Sequence, residues 1–216
     1  MKTITLALVS LSIFLSACED PAANKPKATT ANSTTNTTAN VSTPTATAVK
    51  GESIAITPEN SKVLFTGSKV TGKHEGGFKK FTGTIELVNG KPEESRVSVD
   101  IDAASVFTDA NDLTKHLQTG DFFEVAKHPK ASFVSTKIVP NGGEAYTITG
   151  DLELRGQKKS VTFPATIKVS ADDVSVTSEF SINRKDFGIV YAGSKADDLI
   201  RDNVVIKLDL KAARIK

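Results

Sequence analysis

Tryptophan is absent from this chain, cysteine occurs once, at Cys18, and histidine three times in 216 residues. One cysteine cannot close an intrachain disulfide. The histidines, His74, His116 and His128, lie 42 and 12 residues apart, which matches no metal-ligand spacing. There is no Gly-x-Ser-x-Gly elbow, no His-Glu-x-x-His, no Walker loop and no dinucleotide fingerprint, so we assign no catalytic residue, no metal and no cofactor, and expect no enzyme. Net charge is missing too: 27 Lys and Arg face 25 Asp and Glu, and from residue 51 onward the balance is 23 against 23. That leaves no electrostatic footprint for nucleic acid. Long apolar runs are absent with one exception, Ile4 to Leu15. As a helix it would reach only ~18 Å, against a hydrocarbon core of ~30 Å, too short for a permanent span.

That run follows Lys2 and ends in the small residues Ser16 and Ala17, the pattern of a cleaved signal peptide over residues 1–17. Leu15-Ser16-Ala17-Cys18 resembles the lipobox of bacterial lipoproteins. The resemblance implies cleavage before Cys18, a diacylglyceryl group on its thiol and a further acyl chain, such as palmitate, on its amino group. Several chains hold a protein to a membrane firmly where one does so only marginally. The expected location is therefore the bacterial envelope, anchored and facing the periplasm, and Glu19 in place of Asp after the cysteine favours the outer membrane by analogy with sorting rules in some bacteria. From residue 18 to 50 the chain is mostly Thr, Ala, Asn, Ser and Pro. Such a composition cannot offset the entropy of ordering, and a disordered tether with an r.m.s. span of roughly 30 Å is expected. Asn-x-Ser/Thr triplets at Asn32, Asn36 and Asn40 follow from the composition and are read as chance.

From residue 51 to 216 the apolar residues recur at every second position, the mark of strands with one buried face. Val97, Val99 and Ile101 alternate with polar neighbours, as do Tyr146, Ile148, Gly150, Leu152 and Leu154, then Val161 to Val169, Val174 to Ile182, and Val204 to Leu210. Earlier strands are expected at Lys62–Thr66 and Phe78–Leu87, with another at Ala131–Val139. Turns are signalled at Asn89-Gly90, Asn141-Gly142-Gly143, Arg155-Gly156 and Asp172-Asp173. About eight antiparallel strands suit a barrel or a sandwich. One helix is expected over Asn111 to Phe123, with Asn111 or Asp112 as its cap. If the sheet closes, the shared apolar face is a lumen, which either packs with its own side chains or holds one small ligand.

Asp100-Ile101-Asp102, Ser105, His116-Leu117, Asp121-Phe122-Phe123 and Pro129 before Phe133 resemble the central signature of the YceI-like family. Ser61–Phe65, Phe78 to Gly83, Gly150–Val161, Ile182 to Ile189 and Asn203–Leu210 are similar to its other motifs in order and spacing, although Lys159-Ser160 stand where the family has a Pro before Val161. The resemblance implies an all-β fold, an extended eight-stranded antiparallel, lipocalin-like barrel with one short helix. It also implies an amphipathic long-chain lipid in the lumen, a polyisoprenoid, quinone or fatty chain, held for sequestration or transport. The lumen candidates are Phe65, Phe78, Phe81, Val99, Ile101 and Phe133 from the first half of the domain, and Ile148, Leu152, Phe163, Ile167, Phe180 and Ile206 from the second. His74 and Arg184 are the headgroup candidates. Expected partners are the lipid, a membrane through the acyl anchor, and a second copy of the chain as a candidate homodimer.

Other readings compete. A barrel filled by its own Phe and Leu side chains would be a ligand-free structural or stress-protective envelope protein. Arg184 is expected to pair with Asp186 around the Asp-Phe-Gly turn more readily than to meet a headgroup. His116 with Asp121 fits a brace for the helix better than a hydrolytic pair. Residues 69–77, with three charged side chains, His74 and several glycines, read as a flexible rim loop suited to ligand entry.

Overall fold

The computed structural model describes residues 20–33, 51–191 and 200–214. The signal peptide, Cys18 and the 34–50 part of the tether lie outside the described residues. Twelve strands follow in order: β1 Thr29–Asn32, β2 Glu52–Ile56, β3 Lys62–Lys69, β4 Gly72–Phe78, β5 Phe81–Val88, β6 Lys91–Asp102, β7 Val106–Thr108, β8 Lys130–Pro140, β9 Ala145–Leu154, β10 Gln157–Val169, β11 Asp173–Asn183 and β12 Asn203–Ala213. One α-helix, α1, spans Asn111–Leu117, and short 3-10 turns occupy Ala103–Ser105 and Arg184–Phe187.

The strands form one strongly curled antiparallel sheet, ordered β2-β5-β6-β8-β9-β10-β11-β12-β3-β4-β7. Eight long strands, β5 through β3 in that order, make the wall of a lipocalin-like barrel. The alternation explains the curl: inward positions such as Val99, Ile148, Val161, Phe163, Val176 and Leu210 are buried in one hydrophobic core, while their neighbours face out. Two turns that close the hairpins take positive φ at both central residues, Asn89 (53°) with Gly90 (69°) and Arg155 (50°) with Gly156 (69°). Those dipeptides were the turn signals, and the geometry is the one a two-residue hairpin needs.

The sheet is brought round on itself at one end. There β2, at the edge beside β5, carries Ile54 and Ile56, 0% and 1% exposed, into the core. Arg214 pairs with Glu52 at 2.8 Å, and the Lys211 amide donates to Ser61 Oγ at 3.0 Å. We call this the closed end.

Two parts of the wall differ from the sequence reading. The first is the tether: residues 20–33 are packed against the barrel. Pairing of β10 with β11 covers only Thr166–Val169 and Val174–Thr177, and beyond that the strands part. Strand β1 enters the gap, pairing Thr29–Asn32 with Lys159–Thr162 of β10, while the Ala28 amide donates to the Ser181 carbonyl and the Ser181 amide to that of Pro26, both at 2.8 Å. Ala28 is buried. The segment needs no apolar stripe because its order comes from main-chain hydrogen bonds and a few polar contacts, Thr30 Oγ1 donating to Asp186 Oδ2 at 2.6 Å among them. The second is residues 69–77, which are the tip of the β3–β4 hairpin and not a free loop: Gly67 pairs with His74 and Lys69 with Gly72.

The helix is also shorter than expected. It ends at Leu117, and Ala110, not Asn111 or Asp112, is its N-cap, with no side-chain cap bond. Thr119 Oγ1 donates to the His116 carbonyl at 2.8 Å. The Phe123 amide then donates to the Leu117 carbonyl at 3.0 Å, so the chain turns back and brings Phe122 and Phe123 over the barrel.

Candidate functional site

The lumen is hollow over much of its length, along Val204 to Leu210 of β12 and Val97 to Ile101 of β6, and stops short of Ile54 and Ile56 of β2. A chamber of about 270 Å³ lies there. A water molecule occupies roughly 30 Å³ in the liquid, so the chamber has room for on the order of ten water-sized groups. Its wall is apolar over almost all its extent.

Ten of the twelve lumen candidates face it. From the first half of the domain these are Phe65, Phe78, Val99, Ile101 and Phe133, and from the second Ile148, Leu152, Phe163, Phe180 and Ile206. Phe81 and Ile167 do not. Both point inward but sit in the packed core, 5% exposed each. Period-2 reasoning finds the inward face of a strand and says nothing about where along the strand the filling stops. Leu113 and Leu117 of α1, with Phe122 and Phe123, complete the wall from above.

Glycines make room for the rings. A Cβ on Gly150 would lie 2.4 Å from Phe133 Cζ, and one on Gly76 would lie 2.7 Å from Phe65 Cζ. The rings then contact one another: Phe163 stacks on Phe180 at 4.2 Å and 9°, and Phe65 lies 6.0 Å from Phe78. Gly67, also on the wall, has open space where its Cβ would be.

The polar part of the wall gathers at one end, where the β3–β4 hairpin tip, the 184–187 turn and the start of β12 meet. It comprises Ser68, Lys69, His74, Arg184 and Arg201. His74 Nδ1 is bonded to Asp109 Oδ1 at 2.8 Å. That bond holds the Asp109 carboxyl below the usual carboxylate range, helped by the Glu75 amide. Arg184, buried at 4% exposure, does not pair with Asp186. Its Nη1 donates to the Ile189 carbonyl at 2.8 Å, its Nε to that of Arg201 at 3.4 Å, and its Nη2 to Asp202 Oδ1 at 3.4 Å. This guanidinium braces the turn, and Asp186 is taken up by Thr30.

Ser68 and Arg201 were not singled out from the sequence. Arg201 Nη1 pairs with Asp20 at 3.2 Å, and its amide donates to the Ser68 carbonyl at 2.9 Å. Among the described residues, Ser68 Oγ and Arg201 Nε are buried with no hydrogen-bond partner. Unpaired polar groups at the end of an apolar chamber are costly unless a ligand's polar end completes them. No local motif marks them, because they lie more than 130 residues apart and meet only through the β3–β12 pairing.

His116 Nε2 is bonded to Asp121 Oδ2 at 2.8 Å and sits edge-on to Phe122 and Tyr191. The pair ties the helix end to the following turn. Among the described residues no three His, Cys, Asp or Glu gather as a metal site, and no helix is long and apolar enough to cross a membrane.

Comparison with known proteins agrees with this architecture. The YceI-like domain matches residues 55–212. A UPF0312 protein of Pseudomonas putida strain W619 is 36% identical over 133 residues, covering 59% of this chain and 69% of the relative. Among solved structures, BcnA of Burkholderia cenocepacia is similar with a TM-score of 0.67 and 28% identity, over 73% of this chain and 99% of that one. A polyisoprenoid binding domain from Saccharophagus degradans shares the fold, with a TM-score of 0.59 at 17% identity, over 77% of this chain and all (100%) of that one.

Proposed function

This chain belongs to the YceI-like family, and on that premise we propose that its barrel binds an amphipathic long-chain lipid, a polyisoprenoid, quinone or fatty chain, for sequestration or transport in the bacterial envelope. The observation that carries the reading is the open apolar chamber with its polar groups confined to one end. An extended tail would lie among Phe65, Phe133, Phe163 and Phe180, where each buried methylene contributes about 0.8 kcal/mol. The head would meet Ser68 Oγ and Arg201 Nε. The fold neighbour named for polyisoprenoid binding is in keeping with such a tail.

The hollow lumen counts against the rival reading of a filled, ligand-free structural protein. The same proposal includes the anchor: a lipoprotein acylated at Cys18 after removal of residues 1–17, facing the periplasm, binding its cargo without chemistry. The test is native mass spectrometry of the chain from residue 18 onward, purified from a bacterial host without detergent, followed by solvent extraction. One lipid per chain is expected. An empty protein that also refuses added polyprenyl and quinone probes would overturn the reading.

A further inference from the structure

Among the described residues only two large apolar side chains are substantially exposed, Val70 at 52% and Val190 at 54%. They are 120 residues apart in sequence, yet both stand at the polar end of the chamber. Val70 follows Lys69 and Val190 follows Ile189, and both of those neighbours line the chamber. A bonded path joins them around the rim. Lys69 bridges to Ile200, the Arg201 amide donates to the Ser68 carbonyl, and Arg184 spans from the Arg201 carbonyl to that of Ile189. Next to Val190, Tyr191 stacks on the chamber-lining Phe122 at 5.6 Å. The exposed Lys69 and Lys73 flank Val70 on the hairpin tip, with Lys73 paired to the exposed Glu75 at 3.0 Å.

The N-terminal segment arrives at this same rim. Asp20 is held to Arg201 at 3.2 Å, and from there the chain runs into the seam between β10 and β11 as β1. Only Glu19 separates Asp20 from Cys18, two residue steps that span at most about 7 Å of extended chain. An acyl anchor at Cys18 would therefore leave the molecule beside the mouth of the chamber, not at the end of a long free leash.

We infer that the rim carrying Val70, Val190 and Tyr191 is a membrane-docking face that seats the mouth of the chamber on a lipid bilayer. Each feature suits that surface. Apolar side chains enter the boundary between headgroups and acyl chains, a tyrosine belongs at the interface, and lysines meet anionic headgroups. A lipid tail would then pass between bilayer and chamber without crossing water, which is where an uncovered hydrocarbon chain is least stable. The inference rests on the lipid-binding reading above for its purpose, but its physical content is separate.

The test uses the chain from residue 18 with Cys18→Ser, which holds every described residue and has no acyl anchor. Flotation with vesicles of phosphatidylethanolamine and phosphatidylglycerol is compared for this protein and for Val70→Asp with Val190→Asp. Uptake of a fluorescent polyprenyl probe from the same vesicles is followed in parallel. Both positions are more than half exposed, so thermal unfolding should change little. The aspartates are expected to lower both flotation and uptake rate by on the order of tenfold, with affinity for the probe in solution unaltered, and Val70→Leu with Val190→Leu should restore or raise flotation. Equal flotation of the aspartate variant and its parent would overturn the docking face. So would a concentration-dependent dimer that the aspartates dissolve, since the valines would then cover each other. Failure of the probe to bind in solution would strike the lipid-binding reading instead and leave the flotation result to be judged alone.

Discussion

The closed and open ends of the barrel are built from the same strands and much the same residues, yet one is solid and the other hollow. Strand β10 places Ile167 in the packed core and Phe163 on the chamber wall; β12 places Ala212, fully buried, at one end and Ile206 on the chamber wall at the other. The difference comes from what is laid across each end. At the closed end β2 inserts Ile54 and Ile56 between the walls. At the open end α1 and the turn after it cover the lumen from above without entering it. Hollowness is therefore a matter of which element crosses the barrel, and residue type alone does not report it.

The largest expected effect separates the two ends directly. Ile54→Ala removes a fully buried side chain from the solid end and should cost about 2–5 kcal/mol in urea unfolding. Ile206→Ala trims a side chain that already faces open space and should cost roughly 1–2 kcal/mol. Equal losses would mean that the two ends are filled alike.

Gly150→Ala tests how tightly the rings are set, since the new methyl would collide with Phe133. A loss of about 1–3 kcal/mol is expected from such overpacking, read as a fall in urea midpoint. Smaller still in stability, and sharper in function, is Gly67→Leu, which adds a side chain where the chamber wall has open space. Its stability should move by less than about 1 kcal/mol, because the glycine's chain entropy offsets any strain. Lipid stoichiometry in native mass spectrometry should fall, because the chamber becomes more like the closed end.

The smallest effect is at the rim and depends on pH. Hydrogen bonding to His74 keeps the Asp109 carboxyl more acidic in the folded protein than in the unfolded one. Its contribution is thus present above the unfolded value, about 3.9, and is lost as pH falls through the lower folded value. Urea midpoints of the parent and of Asp109→Asn should differ at neutral pH and converge in acid; a gap that widens in acid would reverse the assignment.

Much of the barrel wall is legible in the sequence. The alternation from Val97 onward and the Asn89-Gly90 and Arg155-Gly156 turns are short-range chemistry, and the motifs around Asp121-Phe122-Phe123 carried the family resemblance. The misses share a cause. Strand β1 is polar and owes its order to the gap between β10 and β11, which does not exist until those strands have parted. Ser68 and Arg201 become neighbours only through pairing across the barrel, and Arg184 prefers Asp202 to Asp186 because the start of β12 lies against its turn. Phe81 and Ile167 point the right way but lie where the core is filled.

Strand periodicity, turn chemistry and the inward face follow from residues a few positions apart, because backbone sterics and side-chain alternation act at that range. The docked N-terminal strand, the hollow part of the lumen and the polar rim were decided by tertiary structure, because each depends on which distant segments come to share a space and which space they leave unfilled.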